Sequence, residues 1–117
     1  MAIGWNKNGL PYMLPGDAII ANVVAGVGNV TDSDLDGYSA CISNSGVCDD
    51  TVKGYTNDVI SGDFVGNQTT GVSTMRFSRL LNTGDSGDFV ITNTDVNTIY
   101  ALGRYITRLE FYYLILI

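Results

Sequence analysis

Between Gly71 and Gly103 the chain reads GVSTMRFSRLLNTGDSGDFVITNTDVNTIYALG, a stretch that fits β structure and little else. Val72 to Ser78 is rich in β-branched and aromatic residues. Met75 and Phe77 fall on one face and Thr74, Arg76 and Ser78 on the other, the period of two that a strand requires. Asn82 to Asp88 then gathers Asn, Gly, Asp and Ser, residues that tolerate positive φ or bond to their own backbone, so a tight turn is expected there. Phe89 to Thr92 and Thr98 to Leu102 follow as short apolar runs, and the whole predicts a three-stranded meander.

The earlier part of the chain is spaced in a similar way. Ala2 to Trp5 reads as the end of a strand and Asn6 to Gly9 as a turn, while Leu10 to Gly16 carries both prolines. Asp17 to Ala25 is the longest apolar run, short and β-branched enough for a buried strand, with a buried helix as the competing reading. Gly26 to Gly37 predicts a turn, a short strand at Val30 and Thr31, and an acidic loop. Thr51 to Ile60 is expected as one strand and the polar, Gly-rich Ser61 to Gly71 as a hairpin. Glu110 is the single Glu among 12 acidic residues; Asp favours turns where Glu favours helix faces, so the acids support the same all-β class. At 117 residues, 45% of them hydrophobic, the chain is long enough for one domain with its own core.

Charge and residue types narrow the function. A net charge of −6 with six scattered basic residues excludes recognition of a phosphate backbone, so no nucleic-acid partner is expected. The sequence contains no His, which removes His-based triads, a His general base and axial His ligation of haem. Without a nucleophile–base pair or a metal-ligand set of recognised spacing, an accessory module is expected rather than an enzyme. Cys41 and Cys48 are the only cysteines, with a turn-rich segment between them, and are expected to form a local disulfide; two reduced thiols are the alternative. The sequons Asn29-Val30-Thr31 and Asn67-Gln68-Thr69 agree with an extracellular or secreted context.

The run FSRLLNTGDSGD, followed by an apolar strand and IYALG, resembles the DOMON domain. Phe77, Arg79, Leu81, Thr83, Gly84, Asp85, Asp88, Tyr100, Ala101 and Gly103 fit that family's pattern, and Leu80 departs from it, standing where Pro is common. The resemblance covers Ile3 to Gly103 and implies an immunoglobulin-like antiparallel β-sandwich over 1–103, incomplete at its N-terminus. It leaves 104–117 as a divergent apolar tail, either a last strand or a truncated segment. It also implies binding of b-type haem or a sugar in an extracellular module beside a redox or membrane cytochrome domain. YMLPGDAIIAN is similar to the region holding the family's axial Met, which would make Met13 a haem ligand; the alternative is that Met13 packs near a sheet edge. The axial His of the haem-binding members has no counterpart here.

Two further groups carry chemistry. Arg79 either braces the following turn by pairing with Asp85 or Asp88, or lines a pocket facing a propionate or sugar. Asp32, Asp34, Asp36 and Gly37 form DxDxDG, the opening of a calcium loop, although the twelfth position is Ser43. Three readings follow: a DOMON-type ligand-binding or electron-transfer module, a cofactor-free structural or interaction sandwich, and a calcium-stabilised extracellular module.

Overall fold

The computed structural model describes residues 1–67, 72–103 and 112–115. Within them the chain forms an all-β, antiparallel, sandwich-like fold, as its composition and alternation predict. The strands are β1 (Ala2–Asn6), β2 (Gly16–Val24), β3 (Val27–Leu35), β4 (Val47–Asp49), β5 (Ser61–Asn67), β6 (Val72–Ser78), β7 (Thr98–Leu102) and β8 (Tyr112–Ile115). One helical turn, α1 (Asp50–Lys53), follows β4. Six strands make one sheet in the order β4-β3-β2-β1-β7-β8, and β5 and β6 pair as a separate hairpin.

The layers are therefore unequal. The β5–β6 hairpin crosses β3 so closely that a Cβ at Gly28 would collide with the carbonyl group of Phe64. Only glycine permits that approach. The inner face of the large sheet presents Trp5, Ile19, Ala21 and Val30, against which Phe64, Met75, Phe77, Phe89 and Ile91 pack. Met75 and Phe77 point inward as their alternation predicts. The rest of the second layer is the irregular segment between β6 and β7, which hydrogen bonds pin in place.

Several local expectations are corrected. The predicted meander is not formed: β6 pairs with β5 while β7 pairs with β1 and β8, so the chain changes layers between them. Phe89 to Thr92 is not a strand, although the Ile91 N–H donates to the Leu81 carbonyl at 2.8 Å. Thr51 to Ile60 is not a strand either, because α1 is closed by Gly54 in the left-handed conformation, φ 84°, and the chain runs on irregularly. Asp17 to Ala25 is a strand and not a helix, and the acidic segment before Asp36 continues β3 to Leu35 instead of forming a loop. Most of the predicted hairpin before Gly71 is β5; the Gln68 and Thr69 of the second sequon and most of the tail 104–117 lie outside the described residues.

Candidate functional site

Direct pairing sorts the side chains of the large sheet by face. Trp5 pairs with Asp17, Asp17 with Asp34, and Ile19 with Asp32, and directly opposed residues point to the same side. The inner face thus carries Asp17, Asp32 and Asp34 beside the apolar core. The outer face carries an apolar patch of Ala2, Gly4, Ala18, Ile20, Leu35, Ile99 and Ala101, flanked by the polar Thr31, Ser33, Asn22 and Asn29.

Arg79 leaves the end of β6 and enters the inner space, where its side chain is 2% exposed. Its Nη1 donates to Asp17 Oδ1 at 3.2 Å and Oδ2 at 3.0 Å, and its Nη2 donates to the Phe89 carbonyl at 3.1 Å. The Phe89 N–H in turn donates to Asp17 Oδ2 at 2.7 Å, so the Arg79–Asp17 pair grips both polar groups of one backbone residue and holds that segment under the sheet. The guanidinium also lies over the Trp5 ring, 5.5 Å from its centroid. Asp32 Oδ1 and Asp88 Oδ2 lie 3.6 Å and 3.4 Å from it. Burial opposes the charge of Arg79, but Asp17, Asp32 and Asp88 outweigh it and raise the pKa.

The turn of the Thr-Gly-Asp motif is structural. Asp85 accepts from the Gly87 N–H at 2.7 Å and the Thr56 N–H at 2.7 Å, joining the turn to the chain after α1. Burial works against its ionised form, and those two donors overcome it, leaving the pKa below its ordinary value. Arg79 accordingly pairs with Asp17 and Asp88, and Asp85 is engaged elsewhere.

The three acids of DxDxDG do not converge on one point, because β3 carries two of them. Asp32 turns toward Arg79. Asp34 pairs with Lys7 and Lys53, and Asp36 pairs with Lys53 and accepts from the Gly46 N–H at 2.6 Å and Ser45 Oγ at 3.2 Å. The hydrogen bond from Lys53, then that from Gly46, lowers the Asp36 pKa. Asp34 and Asp36 are therefore neutralised by lysines, and the arrangement is not a calcium loop. Cys41 and Cys48 form the disulfide, S–S 2.02 Å, tying the 41–48 loop to β4.

Met13 lies on the other side of the sheet. The loop that carries it is shaped by Asn6, a fully buried side chain at the end of β1. Asn6 Nδ2 donates to the carbonyls of Tyr12 (3.0 Å) and Leu14 (2.9 Å), while its Oδ1 accepts from the Asn8 N–H at 2.8 Å. The Lys7 N–H donates to the Pro15 carbonyl at 2.8 Å, closing the loop at its base. A Cβ at Gly16 would collide with the Met13 carbonyl oxygen and meet Leu35 Cδ1 at 2.9 Å, so glycine lets the loop fold down on the sheet. The result is a cleft of about 260 Å³ between the loop and the outer face, with Pro11, Tyr12, Met13 and Tyr38 over Ala18 and Ile20.

Met13 and Arg79 are thus separated by the sheet, and one small ligand cannot touch both. Sequence reading assigned no role to Asn6, Asp17 or Asp50. For Asp17 the signal was present, a carboxylate opening an apolar run; for Asn6 and Asp50 no local pattern marks them. Among the described residues no helix is long and apolar enough to cross a membrane. No family model, curated protein or solved structure matches the chain.

Proposed function

We propose that the chain is an extracellular ligand-binding module that takes a flat, largely apolar ring system against the outer face of its six-stranded sheet. The observation that carries this reading is the cleft beneath the Met13 loop. Its floor is Ala18, Ile20 and Ile99 and its roof Pro11, Tyr12 and Met13, so a flat ring entering it exchanges water for apolar contact on both sides. The DOMON-like motif and the Cys41–Cys48 disulfide support an extracellular setting.

The residues suit the face of a porphyrin and offer the Met13 thioether as one soft ligand. They do not supply a Met/His axial pair, because the sequence has no His. Haem binding here rests on the apolar faces of the cleft together with Met13, and a sugar is disfavoured because the lining offers few hydrogen-bond donors beyond tyrosine hydroxyls. Titration with metal-free protoporphyrin IX, followed by fluorescence, tests the apolar part; haemin absorbance tests the thioether. Saturable binding of both is expected, with Met13→Ala removing the haemin Soret shift and weakening protoporphyrin only slightly. Failure of both ligands to bind would overturn the reading.

A further inference from the structure

The inner face poses a charge problem that Arg79 does not solve. Asp17, Asp32, Asp50 and Asp88 bring four carboxylates around one guanidinium. Asp17 is satisfied, since Arg79 and the Phe89 N–H bond both its oxygens. The other three are served less well: Asp32 Oδ1 and Asp88 Oδ2 have only ion-pair contact with Arg79, at 3.6 Å and 3.4 Å, and among the described residues no carboxylate oxygen of Asp32, Asp50 or Asp88 meets a hydrogen-bond donor. Asp32 is 0% and Asp50 1% exposed. A buried carboxylate is costly unless it is paired, holds its proton or ligates a cation.

The geometry gathers these orphan oxygens. Ligand atoms of Asp17, Asp32 and Asp88 lie within 4.8 Å of one another. Asp50, brought in by the turn of α1, faces the same cluster: burial first, and then the charges of Asp32, Asp88 and Asp17, raise its pKa to about 8. Burial, followed by Asp17 and Asp88, raises Asp32 to about 7. Beside them opens a polar cleft of about 490 Å³ lined by Thr56, Asp58 and Asp85. Asp58, half-buried with an unpartnered Oδ2, interacts with Asp88 and so links the cleft to the cluster.

We propose that Asp17, Asp32 and Asp88, with Asp50 beside them, form a binding site for a hard divalent cation, and that calcium is the ion it takes. The donors are all carboxylate oxygens, the ligand type of hard cations. Their irregular disposition suits the flexible coordination of calcium better than the near-octahedral demand of magnesium. The site is distinct from the DxDxDG pattern, sharing only Asp32 with it. A bound ion takes the lone pairs that Arg79 leaves unused and joins β3 and the start of α1 to the segment before β7, which among the described residues belongs to no sheet.

Terbium is a direct probe, because Trp5 stacks on Arg79 at the cluster and can sensitise a lanthanide bound there. Excitation of Trp5 in metal-free protein titrated with TbCl3 should give saturable emission that CaCl2 displaces, and CaCl2 alone should raise the melting temperature. Asp50→Asn and Asp88→Asn should each weaken terbium binding at least tenfold, while Asp36→Asn leaves it within twofold. Asn is close in shape to Asp and removes a repulsive charge, so the variants should fold without metal, which circular dichroism in EDTA checks. Absence of sensitised emission and of a calcium-dependent melting shift in the wild type would overturn the proposal. So would terbium binding by folded Asp50→Asn and Asp88→Asn that equals the wild type.

Discussion

The two faces of the six-stranded sheet come from alternate residues of the same strands, and each carries a group of residues that a sandwich normally places on the other. Toward the second layer, where apolar side chains normally meet, Asp17, Asp32 and Asp34 stand among Trp5, Ile19 and Val30. Away from it, where polar residues normally face water, Ala2, Ala18, Ile20 and Ile99 form the floor of a cleft. Of the inner charges, Asp17 is held by Arg79 and by the Phe89 N–H and Asp34 by two lysines, whereas among the described residues Asp32 keeps both oxygens free of hydrogen bonds. The outer apolar surface is roofed by a loop that depends on one asparagine. The contrast separates a face whose free groups suit a bare cation from one whose surface suits an apolar ring.

Removing Arg79 should break the inner face most severely. Arg79→Met leaves Asp17, Asp32 and Asp88 without their guanidinium, and loss of one partner of a buried ion pair typically costs about 3–5 kcal/mol. Urea denaturation at pH 7.5 should place the variant near or below the threshold of folding; an unchanged midpoint would mean that the buried charges are not coupled through Arg79.

The pH response should be the next largest effect. Asp32 and Asp50 hold their protons more tightly in the fold, at about 7 and about 8, than at the ordinary value of 3.8. Folding therefore takes up protons between these values, and stability is highest at the acid end of that window and is lost as pH rises through it. Asp36 and Asp85 shift downward and act in the opposite sense, costing stability only as pH falls below the ordinary carboxylate range. In EDTA the melting temperature should fall between pH 5 and pH 8.5, and Asp50→Asn should flatten that slope. A rise over the same interval would contradict the placement of Asp32 and Asp50.

Asn6→Ala should affect the outer face through its roof. It removes two donors and one strong acceptor from the loop at 7–15 and should cost about 1–3 kcal/mol, with weaker protoporphyrin binding. Equal affinity in the variant would detach the loop from the cleft's function. Met13→Ala should be the mildest for stability, under about 1 kcal/mol for a surface-loop side chain, while abolishing the haemin shift. Thermal melts and absorbance on one sample separate the two effects.

Much of this architecture was legible where local pattern and burial agree. Alternation placed Met75 and Phe77 in the core, and the apolar, β-branched run after Asp17 identified β2. The acidic part of β3 was not legible because carboxylates at alternate positions look like a solvated loop; here Lys7 and Lys53, distant in sequence, pair with Asp34, and Asp32 is buried beside Arg79. The turn at Asp50 was hidden for a related reason: a left-handed Gly54 ends it after four residues, too short to leave a helical period. The layer change between β6 and β7 depends on which distant strands each one pairs with, information that no local window contains. The cleft itself is formed by loop and sheet together, so Met13 alone could only suggest it.

Methionine methyl NMR compares the two faces in a single spectrum. Met13 roofs the outer cleft and Met75 packs in the core, and substitution to Leu assigns each signal. On adding metal-free protoporphyrin IX, the Met13 methyl should move by a ring-current shift, saturating with the fluorescence titration, while Met75 stays in place. Saturable binding that shifts Met75 and leaves Met13 unmoved would contradict the outer-face account.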